Sequence, residues 1–236
     1  LGWGIGAPLF GALGEKFGDR KLIIAGAFCY VTGLILSTFA TNPLTHQFLE
    51  FVIGFGIAGT GMGMILAVVG RASSDKNRSM SLGIVTAAGS VGQMIGAPLT
   101  QALLSIYTWQ NVFIIFALSI IIVMAMVPLL KGKPVSTKKE IEISLTKVLT
   151  NAFKDPNFGM IFLGFFACGY QLAFVSAHFP AMVTEMCSAV SPSSMLNYLG
   201  ISNTSSLGAL AIALIGFSNI FGTILAGWLG VKFPKK

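Results

Sequence analysis

Gly11-Ala-Leu-Gly-Glu-Lys-Phe-Gly-Asp-Arg20 returns near the other end of the chain as Gly227-Trp-Leu-Gly-Val-Lys-Phe-Pro-Lys-Lys236, with Gly, Leu, Gly, Lys and Phe in the same places. Each copy stands where a long apolar run meets a cluster of positive charge. The interval far exceeds the roughly 20–50 residues of a solenoid repeat. It matches the half-unit of a membrane protein built by duplication.

Working outward from the two copies, composition names the solvent. The chain is 54% hydrophobic and only 10% charged, where soluble domains carry about 25% charged residues. Its mean hydropathy is +0.82. A formal charge of +7 would suit a nucleic-acid binder, but the placement of that charge argues against one. All 15 Lys and Arg fall in four short segments, 16–21, 71–78, 131–154 and 232–236. The turns between these segments, including 41–46 and 184–206, hold no Lys or Arg. That alternation is what the positive-inside rule produces in a protein that crosses a membrane repeatedly. The basic balance therefore reports topology and a lipid bilayer partner, with no nucleic acid.

A hydrocarbon core about 30 Å thick needs roughly 20 mostly apolar helical residues per crossing. Six complete spans are expected, over residues 22–40, 47–70, 79–105, 112–130, 158–183 and 207–229. Residues 1–14 cover only about 21 Å at 1.5 Å per residue and read as the tail of a further span. They lack the basic front end and cleavage site of a signal peptide. The chain begins with Leu and stops inside the second repeat copy, so it reads as a fragment of a longer open reading frame. Three regions follow: an N-terminal half over 1–130, a linker over 131–156, and the start of a C-terminal half over 157–236. Within the linker, Leu145, Val148, Leu149, Ala152 and Phe153 recur at helical spacing after Ser144, a candidate cap. This pattern predicts a short amphipathic helix on the cytoplasmic surface, ending before Asp155-Pro156; a disordered linker is the alternative.

Gly11-x-x-x-Glu15-Lys16-x-Gly18-x-Arg20-Lys21 resembles the signature of the major facilitator superfamily in the loop between its second and third helices. The resemblance implies an all-α helical bundle, of which this chain holds six full transmembrane helices plus a truncated first one, from helix two to helix eight. A second likeness narrows the branch. The run from Arg78 through Gly83, Thr86, Gly89, Gly92, Gln93 and Gly96 to Pro98, followed by Trp109 and Phe113, is similar to bacterial carriers allied to the monocarboxylate and oxalate/formate porters. Gly164-Phe-Phe-Ala-Cys168-Gly-Tyr-Gln171-Leu-Ala-Phe174, with His178-Phe-Pro180, resembles the seventh helix of that group. Such carriers move small organic anions across the cytoplasmic membrane, usually with a proton or in exchange for another anion. The second repeat copy departs from the signature, with Val231 at the acid and Pro234 at the glycine. In the last span, mammalian monocarboxylate porters place an Asp and an Arg one turn apart, whereas Asn219 and Thr223 stand here. Coupling by a buried Asp–Arg pair is therefore not expected at this place.

The residues themselves suggest where gate and path lie. Glu15 sits at the cytoplasmic end of a helix, where the helix dipole disfavours an anion, so it should seek external compensation. The resemblance implies that it faces a helix N-terminus of the opposite half and helps to close the cytoplasmic gate, within the motif Gly11, Glu15, Lys16, Gly18, Arg20 and Lys21. Simple anchoring is the alternative. For the path, Thr86, Ser90, Gln93, Ala97 and Thr100 share one helical face, as do Gly164, Cys168, Gln171, Val175 and His178. Tyr170 and Phe174 lie beside the latter, and Asn219 and Thr223 are one turn apart. Polar residues in membrane helices face the bundle interior or a cavity, so Thr86, Ser90, Gln93, Thr100, Tyr170, Gln171, Phe174, His178 and Asn219 form the candidate substrate path. Interhelical hydrogen bonding competes with that role at both glutamines, and a fixed hydrogen bond is favoured for His178. Closely spaced glycines at 54, 56, 59, 61 and 63, and at 89, 92 and 96, let backbones approach in lipid. Pro98 suggests a bend.

Other chemistry is not visible. Cys29, Cys168 and Cys187 have neither metal-like nor disulfide-framework spacing, and Asn203-Thr-Ser205 fits a glycosylation acceptor only in a eukaryotic secretory pathway. No cofactor, metal site or enzymatic constellation is expected. The reading is a secondary active transporter moving a small solute, such as a monocarboxylate, by alternating access. A transporter-like sensor and a drug or metabolite exporter of the same superfamily are the alternatives.

Overall fold

The computed structural model describes residues 1–129, 145–187, 193–198, 201 and 203–233, without the side chains of Glu15 and of residues 145–149. The described residues form helices and connecting turns only. Such a sequence has little choice, because a backbone amide left unpaired in hydrocarbon costs several kcal/mol and a helix pairs every one internally. In chain order the helices are α1 (Gly2–Phe17), α2 (Asp19–Ser37), α3 (Pro43–Thr60), α4 (Met62–Ala72), α5 (Arg78–Leu104) and α6 (Trp109–Met126), the last running into a 3₁₀ turn at Val127–Leu129. They continue with α7 (Leu145–Lys154), α8 (Pro156–Met186), α9 (Met195–Tyr198) and α10 (Thr204–Lys232). Six segments are long and apolar enough to cross a bilayer: α2, the α3–α4 pair, α5, α6 with its 3₁₀ turn, α8 and α10. These are the six spans expected from hydropathy. At 16 residues, α1 covers about 24 Å.

Local chemistry sets the ends of these helices. The Asn42 carboxamide accepts from Leu44 N at 2.8 Å and Pro43 occupies the first turn of α3. Asp155 and Pro156 start α8 in the same way, with Asn157 N donating to Asp155 Oδ1 at 2.9 Å. Asn203 Oδ1 accepts from Ser206 N at 2.7 Å, so the residue of the glycosylation pattern serves as the cap of α10. The turn from α1 to α2 passes through Gly18 at φ 93° and ψ 138°, a region that residues with a Cβ avoid.

Two boundaries differ from the hydropathy reading. The span expected over 47–70 is two helices, since Gly61 is extended (φ −82°, ψ −176°) and separates α3 from α4. Glycines at 59, 61 and 63 weaken helix propensity there, and hydropathy does not register a break of one residue. The outer turn expected over 184–206 is shortened by α8 continuing through Met186, and α9 lies within it. The amphipathic helix expected in the linker is α7; its candidate cap, Ser144, lies outside the described residues. Pro98 lies inside α5, which continues through it to Leu104.

Chain contacts divide the molecule into two compact units, and α5 and α10 each contribute to both. The first contains α1 to α4, the start of α5, α6 and the end of α10. Its core has two clusters. Phe10, Leu22, Ile23, Ala58, Met64 and Val127 form one, with Phe10 and Phe55 tilted at 5.2 Å. Val31, Leu34, Ile53 and Ala117 form the other, backed by Phe113 and Phe116. Glycine permits the tight crossing of α2 on α3: a Cβ on Gly26 would fall 2.7 Å from Gly59 Cα, and one on Gly59 would fall 2.6 Å from the Phe10 ring. The glycines of α5 behave differently. Gly92 and Gly96 face open space, and Gly83 instead packs on α10, where its Cβ would meet Gly227 Cα at 3.0 Å.

The second unit contains the middle of α5, α7, α8, α9 and the start of α10. Phe153 of α7 meets Phe158 and Phe162 of α8 edge-on at 5.4 and 5.6 Å, which fixes the amphipathic helix to the span that follows it. Gly208 lets α10 approach Pro180 of α8, its Cβ falling 3.1 Å from Pro180 Cα. Large apolar side chains face outward throughout, such as Phe165 at 76% exposure and Ile122 at 66%. A surface of that kind is stable only against lipid or other protein.

Candidate substrate path and gate

On α5 the predicted polar face is the less exposed one. Ser90 is buried, and Thr86, Gln93, Ala97 and Thr100 are half-buried. The threonine hydroxyls donate to their own helix, Thr86 Oγ1 to Leu82 O at 2.9 Å and Thr100 Oγ1 to Gly96 O at 2.7 Å. Back-bonding of this kind satisfies a hydroxyl in hydrocarbon. In the second unit, α10 crosses α5 at Ser90 and Met94, where a Cβ on Gly216 would fall 2.8 Å from Ser90 O and 2.7 Å from Met94 N. At 100° per residue, Gln93 and Thr100 stand to one side of this crossing. Asn219 follows Gly216 by about one turn and is exposed.

On α8, Tyr170 and Phe174 stack at 6.2 Å with 24° between planes, and Phe174 meets His178 at 5.0 Å. The i, i+4, i+8 spacing makes a continuous aromatic stripe, and Gln171 is exposed beside it. Tyr170 is 65% exposed and Phe174 54%. The members on α5 and those on α8 are each organised on their own helix. A stripe of rings with an adjacent carboxamide can hold a small solute by stacking and hydrogen bonding. Among the described residues no group of His, Cys, Asp and Glu could hold a metal ion, and the three cysteines are free.

At the signature motif, Gly14 and Gly18 shape the corner between α1 and α2, Gly18 N donating to Gly14 O at 2.9 Å. Gly11 faces open space, and Lys16 Nζ lies 5.4 Å from the Phe17 ring centroid. Arg20 and Lys21 are exposed on the first turn of α2. The Glu15 side chain, on which the latch depends, lies outside the described residues.

An ion pair missed by the sequence reading sits at this corner. Arg71 Nη2, at the end of α4, donates to Asp19 Oδ1 at 2.6 Å, with side chains only 26% and 12% exposed. Arg71 Nε is buried and has no partner among the described residues. Asp19 also occupies the first turn of α2, where the helix dipole favours a carboxylate. The only sequence signal was an acid among bases in one Lys/Arg-bearing turn and a base in the next. Arg78 donates to Gly70 O at 3.0 Å and pairs with Asp75 at 2.9 Å, so the turn from α4 to α5 is knitted at both ends.

Near Asn42, a second missed group gathers beside a cavity of about 390 Å³ lined by Thr41, Asn42, His46 and Trp109. His46 Nε2 is 3.6 Å from Glu50 Oε1, and its ring meets Trp109 edge-on at 6.0 Å. The i, i+4 spacing of His46 and Glu50 was legible in the sequence, whereas the approach of Trp109 from α6 was not.

The chain matches the family model of the Major Facilitator Superfamily over residues 1–236. It is 26% identical to the sialic acid transporter NanX of Escherichia coli over 234 residues, covering 98% of this chain and 54% of that protein. It is 25% identical to monocarboxylate transporter 13 of Bos taurus, covering 97% of this chain and 50% of the relative. Monocarboxylate transporter 1 of Bos taurus is 30% identical over 57% of this chain and 27% of its own length. The chain thus spans about half the length of the first two relatives. No solved structure matches it.

Proposed function

The chain belongs to the Major Facilitator Superfamily and is part of a multi-pass membrane protein; from that premise we propose that the protein is a secondary active transporter of a small organic anion. It works by alternating access in the cytoplasmic membrane, the N-terminal half (1–130) and the C-terminal half (from 157) rocking about a central site, with the linker 131–156 between them. The observation that supports this most is a likeness running along almost the whole chain to a sialic acid transporter and a monocarboxylate transporter. Both of those names denote carriers of carboxylates.

The proposed path runs along Thr86, Ser90, Gln93 and Thr100 of α5, Tyr170, Gln171, Phe174 and His178 of α8, and Asn219 of α10. No Lys or Arg lies within the membrane-spanning stretches of these helices, so amide donors and helix dipoles must meet a carboxylate here. The motif from Gly11 to Lys21 forms the cytoplasmic gate, with Glu15 as its latch. A proton or an exchanged anion drives the cycle.

The full-length protein reconstituted in vesicles tests this reading. Uptake of a radiolabelled monocarboxylate or sialic acid should rise above empty vesicles and respond to an imposed proton gradient or to anion preloading. Gln93→Ala and Gln171→Ala should raise KM about tenfold or more, as expected when a hydrogen bond to a charged group is lost. Saturable binding of such an anion without uptake would identify a sensor instead.

A further inference from the structure

In the second unit, the start of α10 buries one side of the helix. Gly208, Ala209, Ile212, Ala213 and Gly216 are all buried, and their i, i+1, i+4, i+5, i+8 spacing sets them along one face. All but Ile212 are glycine or alanine, so neighbouring backbones can come close. Gly208 and Gly216 identify those neighbours. A Cβ on Gly208 would fall 3.1 Å from Pro180 Cα of α8, and one on Gly216 would fall 2.8 Å from Ser90 O and 2.7 Å from Met94 N of α5. The two crossings stand about 12 Å apart along α10.

Both crossings fall where the neighbouring helix has lost a hydrogen bond. Pro180 lies inside α8 and Pro98 inside α5, and proline has no amide hydrogen to give the carbonyl four residues back. Ser176 O and Met94 O therefore lack their helical amide partners, and turns interrupted in this way are where helices bend. The candidate path residues flank the same turns. On α5, Gln93 precedes Met94 and Thr100 follows Pro98; on α8, His178 ends the aromatic stripe just before Pro180. How closely α10 approaches thus decides where both polar faces stand.

We propose that Gly208 and Gly216 are positioning residues that set the width of the solute path between α5 and α8, and with it the size of organic anion accepted. What passes along these faces rests on the transport reading; the spacing rests on contacts made within this chain. At Gly216 an added carbon would sit closer to the α5 backbone than van der Waals contact allows, so α5 and α10 must move apart and the space beside Gln93 widens. At Gly208 the contact is tight but longer, and the same change has a smaller effect.

The test uses the full-length protein in vesicles and linear monocarboxylates of increasing chain length. Gly216→Ala should raise the ratio of kcat/KM for long over short acids about tenfold, the discrimination carried by one methylene, and should do so through KM. Gly208→Ala should shift the ratio the same way by less. A merely structural role would lower kcat alike for every acid and leave the ratio fixed, which would overturn the proposal. Independently of transport, a single cysteine at Gln93 in the cysteine-free protein should react with a bulky relative to a small hydrophilic thiol reagent in a ratio that rises with Gly216→Ala. An unchanged thiol ratio in protein that stays monodisperse on size-exclusion chromatography would also overturn it. If Gly216→Ala does not fold, Gly208→Ala carries both readings. A raised thiol ratio in a protein that takes up no acid would fail the transport reading while upholding α10 as the spacer.

Discussion

Gly18 and the Asp19–Arg71 pair show how much of the corner between α1 and α2 depends on single residues. At φ 93° any side chain is strained, so Gly18→Ala should cost about 1–3 kcal/mol and lower the midpoint in a thermal-shift assay of the detergent-solubilised protein. The second repeat copy has Pro234 in that place. Asp19→Asn or Arg71→Gln removes one partner of a mostly buried pair and should destabilise by about 1–3 kcal/mol. The exchanged double variant, Asp19→Arg with Arg71→Asp, should recover only part of that loss. It restores the pair but sets a cation at the N-terminus of α2, against the helix dipole. Full recovery in the thermal-shift assay would mean that the dipole contributes nothing.

Among the helices, glycine spacing is the same kind of signal in two places with different outcomes. Gly26 and Gly59 meet at the α2–α3 crossing, so Gly59→Ala should reduce the yield of monodisperse protein on size-exclusion chromatography, because overpacking costs about 1–3 kcal/mol. Gly92 faces open space, and Gly92→Ala should leave that yield unchanged or improve it, in line with the roughly 1 kcal/mol that alanine gains in a helix interior. Spacing could not separate these glycines, because it says that backbones are able to approach and not which helix arrives. The polar faces raise the same issue for function. In a cysteine-free full-length background, single cysteines at Gln93 and Gln171 should react with a small hydrophilic thiol reagent and be protected by substrate, and cysteines at Ile115 and Ile121 should react less. If both glutamine positions stay inert in every conformational condition, these side chains are packing contacts.

At the scale of the molecule, topology follows from where lysine and arginine are absent. Reporter fusions in the loops containing Lys21, Lys76 and Lys139 should report one compartment, and fusions at Asn42 and Ser193 the other. If fusions at Asn42 and Lys76 report the same side, α3 and α4 do not together make one crossing. The break at Gly61 makes that outcome a sharp test, since α4 alone, at 11 residues, reaches only about 16 Å.

The number of spans, their polar and apolar ends and the helical segment before α8 were all legible in the sequence. Each is dictated by the cost of placing charge or an unpaired amide in hydrocarbon, which acts locally along the chain. The family was legible for a related reason, since its signature is a run of adjacent residues. Which residues meet across helices was decided by the tertiary structure: Arg71 with Asp19, Trp109 with His46, Gly216 with Ser90 and Met94. In lipid the hydrophobic effect does not rank one helix pairing over another, so association rests on close packing and specific polar contacts. Those depend on small residues brought together from distant parts of the chain, and linear spacing on one helix carries no record of its partner.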